Sequence, residues 1–183
     1  VTYGLIMSGL AMQMLKTSRP ASGGEHHISH MIETEPEAFA AHSDALHGEK
    51  VGVGTVLASA EYHRLAEIEE IAPVVIPYAP IDQDKLRAFW GEVLYPIAKR
   101  ENEKDCLAGV TAEAIVKAWA EIRRVIAQIP AATEVDRLLV DLGAKHTLAD
   151  IGIDENKRQT ILDESPLIRN RLTLMRMRRM IRA

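Results

Sequence analysis

Aromatic side chains are scarce in this chain, with two phenylalanines, two tryptophans and four tyrosines among 183 residues. Sheets draw on aromatic and β-branched residues, so this scarcity, beside abundant alanine, leucine, isoleucine and charged residues, favours an all-α helical fold. Cysteine is nearly absent: Cys106 stands alone, which excludes an intramolecular disulfide and fits a reducing cytoplasm. Cys106 itself reads as a half-buried small hydrophobe. Excess charge of one sign is missing too. A net charge of −4 argues against a nucleic-acid binder as a whole. Long apolar runs are also lacking. The uncharged stretch Val1–Leu15 is shorter than the roughly 20 residues a membrane span needs, and no basic region precedes its apolar residues. The chain is therefore expected to be soluble, without membrane insertion. No internal repeat or low-complexity segment is present, and the length suits one domain over residues 1–183.

What the chain does have is histidine, concentrated in two stretches. Ser18–Glu33 reads SRPASGGEHHISHMIE and His47–Thr55 reads HGEKVGVGT; with His42 between them they hold five of the seven histidines. Arg19-Pro20 and the paired glycines 23 and 24 are loop chemistry, because proline restricts itself and its predecessor while glycine permits tight turns. Ser22 with Glu25 three residues on forms a capping-box pattern, which predicts a helix from about Gly23 to Glu33. His26 and His30, four apart, then share one helix face while His27 points elsewhere. Neutral imidazole is a common metal ligand, so this pair is a partial site. His47 opens a second predicted helix, with Glu49 favourably placed in its first turn. Glycines 48, 52 and 54 cost that helix roughly 1 kcal/mol each against alanine, so a close approach by another helix or a ligand is expected. His26 and His47 are 47 − 26 = 21 residues apart, near enough for two helices and a loop to join them. Two histidines alone do not complete a zinc-type centre, which takes about three protein ligands and an open position.

Three motifs together, SGLAM (Ser8–Met12), SRPASGGEHHISHMIE and HGEKVGVGT, resemble the glycerol-1-phosphate dehydrogenases, of the superfamily that also holds iron-containing alcohol dehydrogenases, glycerol dehydrogenase and dehydroquinate synthase. The resemblance is strong over Val1–Leu57 and weaker beyond. It implies a divalent ion (zinc, nickel or iron) held by one aspartate and two histidines, the latter at His26 and His47. His30 falls at the position that contacts substrate beside the nicotinamide, which makes it the catalytic candidate. Arg19 and Ser22 are the candidate contacts for a substrate phosphate. The implied reaction is NAD(P)H-dependent reduction of dihydroxyacetone phosphate, a small phosphorylated triose, and the implied assembly is a homodimer. Nothing in the chain resembles the half of these enzymes that carries the metal-binding aspartate and most of the NAD(P) contacts. The resemblance therefore implies a helical metal-binding domain like the C-terminal domain of dehydroquinate synthase-like enzymes, inactive alone. Dehydroquinate synthase-like lyase, plain glycerol dehydrogenase and a non-catalytic metal- or protein-binding helical domain are the alternatives.

Elsewhere the pattern is scaffold. Val1–Lys16 reads as a buried helix with a small-residue packing face. Val51, Val56 and Leu57 read as core, His63 as surface, and Lys50 as exposed as readily as functional. Three prolines at 73, 77 and 80 mark an irregular crossover around a strand-like Val74–Ile76. Asp82 or Asp84 caps a helix towards Ala98 with Pro96 as its kink, and Arg100–Asp105 reads as a solvated charge run. Thr111 caps an amphipathic helix Ala112–Gln128, followed by Thr133–Leu142 with Gly143 as C-cap. Asp154 caps Glu155–Asp163, and Ser165–Pro166 opens a last helix to Met180. Its end, RMRRMIRA, reads as a charged helix terminus rather than an RNA or membrane patch.

Overall fold

The computed structural model describes residues 2–17 and 22–182, and at positions 2, 4 and 5 the backbone alone. Among these residues the fold is all-α, as the composition implied. In chain order the helices are α1 (Thr2–Leu15), α2 (Gly24–Thr34), α3 (His47–Ala66), α4 (Gln83–Glu101), α5 (Ala112–Ile126), α6 (Ala132–Asp141), α7 (Arg158–Glu164) and the single turn α8 (Leu174–Met177), with short 3₁₀ turns between the later ones. The strand-like Val74–Ile76 makes one antiparallel bridge, Val75 to Ile181. The Ile76 amide donates to the Met180 carbonyl and the Arg182 amide to that of Val74. No helix among the described residues is long and apolar enough to cross a membrane.

The pair α2–α3 is the centre of the fold. Ile28, Met31 and Ile32 of α2 are fully buried against Val53, Leu57 and Ala58 of α3, with Phe39, Ile153, Ile161 and Met175 closing the same core. Val51 and Val56, expected in the core, lie at its margin, and Val53 takes that place. The helices approach at Gly54, where a Cβ would stand 2.7 Å from the Glu25 carbonyl oxygen and 3.3 Å from the Ile28 Cβ. The close neighbour that the glycines imply is thus a helix. Gly52 meets only the Leu139 side chain and the Lys145 carbonyl at ordinary distance, and Gly48 faces open space. Gly54→Ala is expected to cost a net 0–2 kcal/mol, roughly: overpacking of about 1–3 kcal/mol against a helix-propensity gain near 1. Chemical denaturation checks this, and a stabilised variant would refute the close approach.

Two further cores support this pair. Leu65, Leu107, Ile115, Trp119 and Met180 form one, which α5 enters with Ile115 and Trp119 while Ile122 packs against it. Thr111 caps α5 through the Ala114 amide, and the Trp119 indole donates to the Ile68 carbonyl at 2.8 Å. The other joins Leu86, Trp90, Tyr95 and Ala98 of α4 to Leu167 and Ile168. Asp82 is the α4 cap, accepting from the amides of Asp84 and Lys85.

Four expectations are corrected. Helix α1 is not buried by the described residues. Tyr3 and Met14 are 77 % and 82 % exposed, and Ile6, Met7, Leu10 and Leu15 are exposed as well. The core is already closed by α2, α3 and α7, so a helix apolar on all sides finds no face of the described residues to cover it. The break in α4 falls at Gly91 (φ 74°) and not at Pro96, because Gly91 lies under Glu37, where any side chain would collide. The charge run Arg100–Asp105 is not simply solvated: Asn102 is 5 % exposed and the Asp105 side chain likewise 5 %. Lastly, Ser165–Met180 is no continuous helix but two 3₁₀ turns and α8 around a loop.

The last two corrections share a cause, Arg176, whose side chain is fully buried. Its Nε and Nη2 donate to Asp105 Oδ1 at 3.0 and 2.9 Å, and Nη2 also to Asn102 Oδ1 at 2.8 Å. Nη1 donates to the carbonyls of Pro166 (2.7 Å) and Arg169 (3.2 Å). A continuous helix would occupy those carbonyls internally, so the open loop is what satisfies the guanidinium. Two more basic residues of RMRRMIR are paired too, Arg178 with Glu61 and Asp163, and Arg179 with Asp105 at 2.6 Å. Arg176, Arg178 and Arg179 therefore form an internal clamp, and only Arg182 of the run is exposed.

Candidate metal centre

Helix α2 begins one residue later than its capping pattern suggested. Gly23 is the N-cap, and Ser22 lies just outside. The Glu25 carboxylate accepts from the Gly23 amide at 2.8 Å, and its Oε1 also receives His26 Nδ1 at 2.9 Å. Helix α3 starts at His47, with Glu49 accepting from the Leu46 amide at 2.7 Å. Its first turn lies beside the last turns of α2, since Gly54 fixes the crossing one helical stretch away.

This crossing gathers three imidazoles. Ring centroids of His26 and His30 are 6.1 Å apart, and both His26–His47 and His30–His47 measure 5.5 Å. A carboxylate not expected here from the sequence, Glu33, completes the group. Its Oε1 meets His47 Nδ1 at 2.8 Å and its Oε2 meets His30 Nδ1 at 3.1 Å. Ligand atoms of His30, Glu33 and His47 all lie within 4.8 Å of one another. Ser29, fully buried, sets its hydroxyl 3.3 Å from both Glu33 Oε1 and His47 Nδ1. The signal for Glu33 was present in the sequence: His26, His30 and Glu33 stand at i, i+4 and i+7, one stripe of a helix.

The donor set suits a divalent transition metal. Tetrahedral coordination with metal–nitrogen bonds of about 2.0–2.1 Å places imidazole centres roughly 5 Å apart, slightly closer than the observed spacing. The rings are partly exposed, with side chains of His26, His30 and His47 at 25 %, 35 % and 49 %, so an ion has access. Burial acts to raise the carboxyl pKa values of Glu25 and Glu33, but hydrogen bonds outweigh it: from His26 and the Gly23 amide for Glu25, from His47 and His30 for Glu33. Both carboxyls are held below the usual range.

The remaining histidines stand apart. His27 is fully buried with neither ring nitrogen hydrogen-bonded, and burial together with the Arg171 charge pushes it down to about 4, so it is neutral. His42 lies in the loop between Glu35 and Asp44, whose hydrogen bonds raise its pKa, and it is outside the cluster. His63 is half-buried and donates to the Ile129 carbonyl, and His146 pairs with Asp136 at 2.7 Å. Lys50 is buried, 7 % exposed. Arg19 falls outside the described residues. Ser22 is brought to Arg171, whose Nη1 donates to its carbonyl at 2.8 Å, a contact spanning 149 residues of sequence. Beside the cluster, a cavity of about 240 Å³ opens between α2 and α4, with His30, Glu33 and Thr34 at one end and Leu94, Ile97 and Ile168 along its walls.

No family model matches the chain. Curated relatives do. It is 30 % identical over 177 residues to a protein of Halalkalibacterium halodurans named glycerol-1-phosphate dehydrogenase [NAD(P)+], which covers 96 % of this chain and 36 % of that protein. Proteins of the same name from Bacillus subtilis and Methanococcus maripaludis are 49 % and 40 % identical over 72 and 65 residues, or 38 % and 36 % of this chain and 18 % and 20 % of theirs. The chain spans about a third of the length of the Halalkalibacterium halodurans relative.

Proposed function

Since this chain belongs by sequence with the glycerol-1-phosphate dehydrogenases, we propose that its three-histidine cluster is the metal- and substrate-holding part of an NAD(P)-dependent dehydrogenase that reduces dihydroxyacetone phosphate to sn-glycerol 1-phosphate. The observation that supports this most is the convergence of His26, His30 and His47 at the α2–α3 crossing, with ionised carboxylates behind them.

In this reading His26 and His47 hold a divalent ion, zinc, nickel or iron, with a carboxylate from outside this chain. The ion supplies a Lewis acid for the substrate carbonyl oxygen. The chain's own residues do the rest. His30, lining the cavity, would hydrogen-bond the substrate oxygen and hand it a proton from Nε2. The Glu33 carboxylate steadies the imidazolium before that transfer. Arg19, Ser22 and the free amides at the start of α2 receive the phosphate, and Arg171 adds charge beside Ser22. NAD(P)H is bound mainly by sequence that this chain does not contain, and the enzyme works as a cytoplasmic homodimer.

The test is a turnover assay following NAD(P)H oxidation on dihydroxyacetone phosphate with added Zn²⁺, Ni²⁺ or Fe²⁺. The chain is assayed alone and joined to the part of a relative that it does not match. Turnover is expected only in the joined protein, only with metal, and not after His26→Ala. Turnover by the 183-residue chain alone would refute the division of labour. A joined protein that holds metal but leaves this substrate untouched would move the assignment to glycerol or the dehydroquinate precursor.

A further inference from the structure

Each of the three clustered imidazoles presents the same atom to a carboxylate. His26 Nδ1 meets Glu25 at 2.9 Å, and His30 Nδ1 and His47 Nδ1 meet the two oxygens of Glu33 at 3.1 and 2.8 Å. An ionised carboxylate only accepts hydrogen bonds, so the proton of each ring must sit on Nδ1. A neutral imidazole protonated there has its lone pair on Nε2. Three independent side chains thus share one tautomer.

We propose that Glu33, with Glu25, is a positioning residue of the metal centre: it fixes a proton on Nδ1 of His47 and His30, and thereby leaves the His47 Nε2 bare for the ion and turns the His30 Nε2 towards the substrate. Glu33 is suited to this because its two oxygens serve one ring each, so a single side chain from α2 sets a histidine of its own helix and one from α3. The buried Ser29 hydroxyl, 3.3 Å from Glu33 Oε1, restrains that carboxylate from the third side. A histidine whose distal nitrogen donates to a carboxylate is a stronger and better oriented ligand, and losing such a partner typically lowers metal affinity about 10–100-fold. Glutamine at position 33 removes the charge, and its amide nitrogen cannot accept from the second ring.

The inference rests on reading the cluster as a metal centre but not on the reaction assigned to it, and its test needs no turnover. The tautomers are read on the metal-free 183-residue chain by long-range ¹H–¹⁵N correlation of the imidazoles. Zn²⁺ affinity is read by competition with a chromogenic chelator. In the unaltered chain His26, His30 and His47 are expected as Nδ1–H forms. Glu33→Gln is expected to mix the tautomers of His30 and His47, leave His26 unchanged and weaken Zn²⁺ at least tenfold. Glu25→Gln is expected to do the converse, mixing His26 alone. Glu35→Gln, which touches only the His42 pair, serves as the control and should leave both readouts unchanged. Nε2–H rings in the unaltered chain, or a Glu33→Gln chain that binds Zn²⁺ as tightly as before, would overturn the proposal. Because Glu33 is partly exposed, the fold is expected to survive, with unchanged far-UV circular dichroism; Glu25→Gln probes the same effect independently through the other carboxylate.

Discussion

Replacing Arg176 with methionine is expected to destabilise the chain by about 3–5 kcal/mol, the usual consequence of removing one partner of a buried charge pair. The side chain is fully enclosed, and its loss strands the Asn102 carbonyl oxygen and the backbone carbonyls of Pro166 and Arg169. Arg176→Lys should not rescue it, because an ammonium lacks the planar fork that reaches four acceptors at once. Urea unfolding measures both variants, and a loss under about 1 kcal/mol would show that Arg179 alone suffices for Asp105. A pH dependence follows from the same clamp. Burial would raise the Asp105 carboxyl, but the hydrogen bond from Arg179, the Leu107 amide and the Arg176 charge hold it below its ordinary value of 3.8. A carboxyl depressed in the folded state contributes stability that is fully present above its unfolded pKa and is lost as pH falls through the folded one. Stability is therefore expected to drop as the medium is acidified below about pH 4, and to drop less steeply in Arg176→Met, which has less of this contribution to lose.

The parts of this fold legible in the sequence are those set by local rules. Helices α2, α3 and α5 follow from caps, turns and apolar spacing, all within a few residues of chain, and the structure places their starts within one residue of the expected positions. The three histidines share a site because a loop of known reach joins two helices, and that too is a local property. What escaped were pairings made across the whole chain. RMRRMIR carries nothing in its own spacing to say that Arg176 finds Asp105 and Asn102, more than seventy residues away, or that doing so dissolves a helix. Nor does Ser22 announce Arg171. Helix α1 departs from expectation for a different reason. Apolar composition states that a segment needs cover but does not say whether this chain supplies it. Glu33 is an intermediate case: its i, i+4, i+7 spacing puts it on the histidine stripe, but only the packing of α3 against α2 turns that carboxylate towards His47.

His47→Ala is expected to separate the metal centre from the scaffold. His47 is the first residue of α3, its side chain is half exposed, and its hydrogen bonds run to Glu33 and Ser29 at the surface of the crossing. Removing it takes nothing from the core of Ile28, Val53 and Leu57, so metal-free stability should change by no more than about 0.5 kcal/mol, as for other surface substitutions. The metal-linked part should vanish. An ion that binds only the folded chain adds about 2.7 kcal/mol at a concentration one hundred times its Kd, roughly 5–10 °C in Tm for a chain of this size. The unaltered protein is expected to show that rise with Zn²⁺ and to lose it on adding chelator, and His47→Ala is expected to show neither. His42→Ala should keep the full rise, because His42 is held by Glu35 and Asp44 outside the cluster. A His47→Ala chain that still gains the full shift would place the ion elsewhere, whereas a large loss of metal-free stability would mean that the imidazole holds α2 to α3. The contrast between the two histidines therefore tests the geometry of the crossing itself, independently of any reaction it serves.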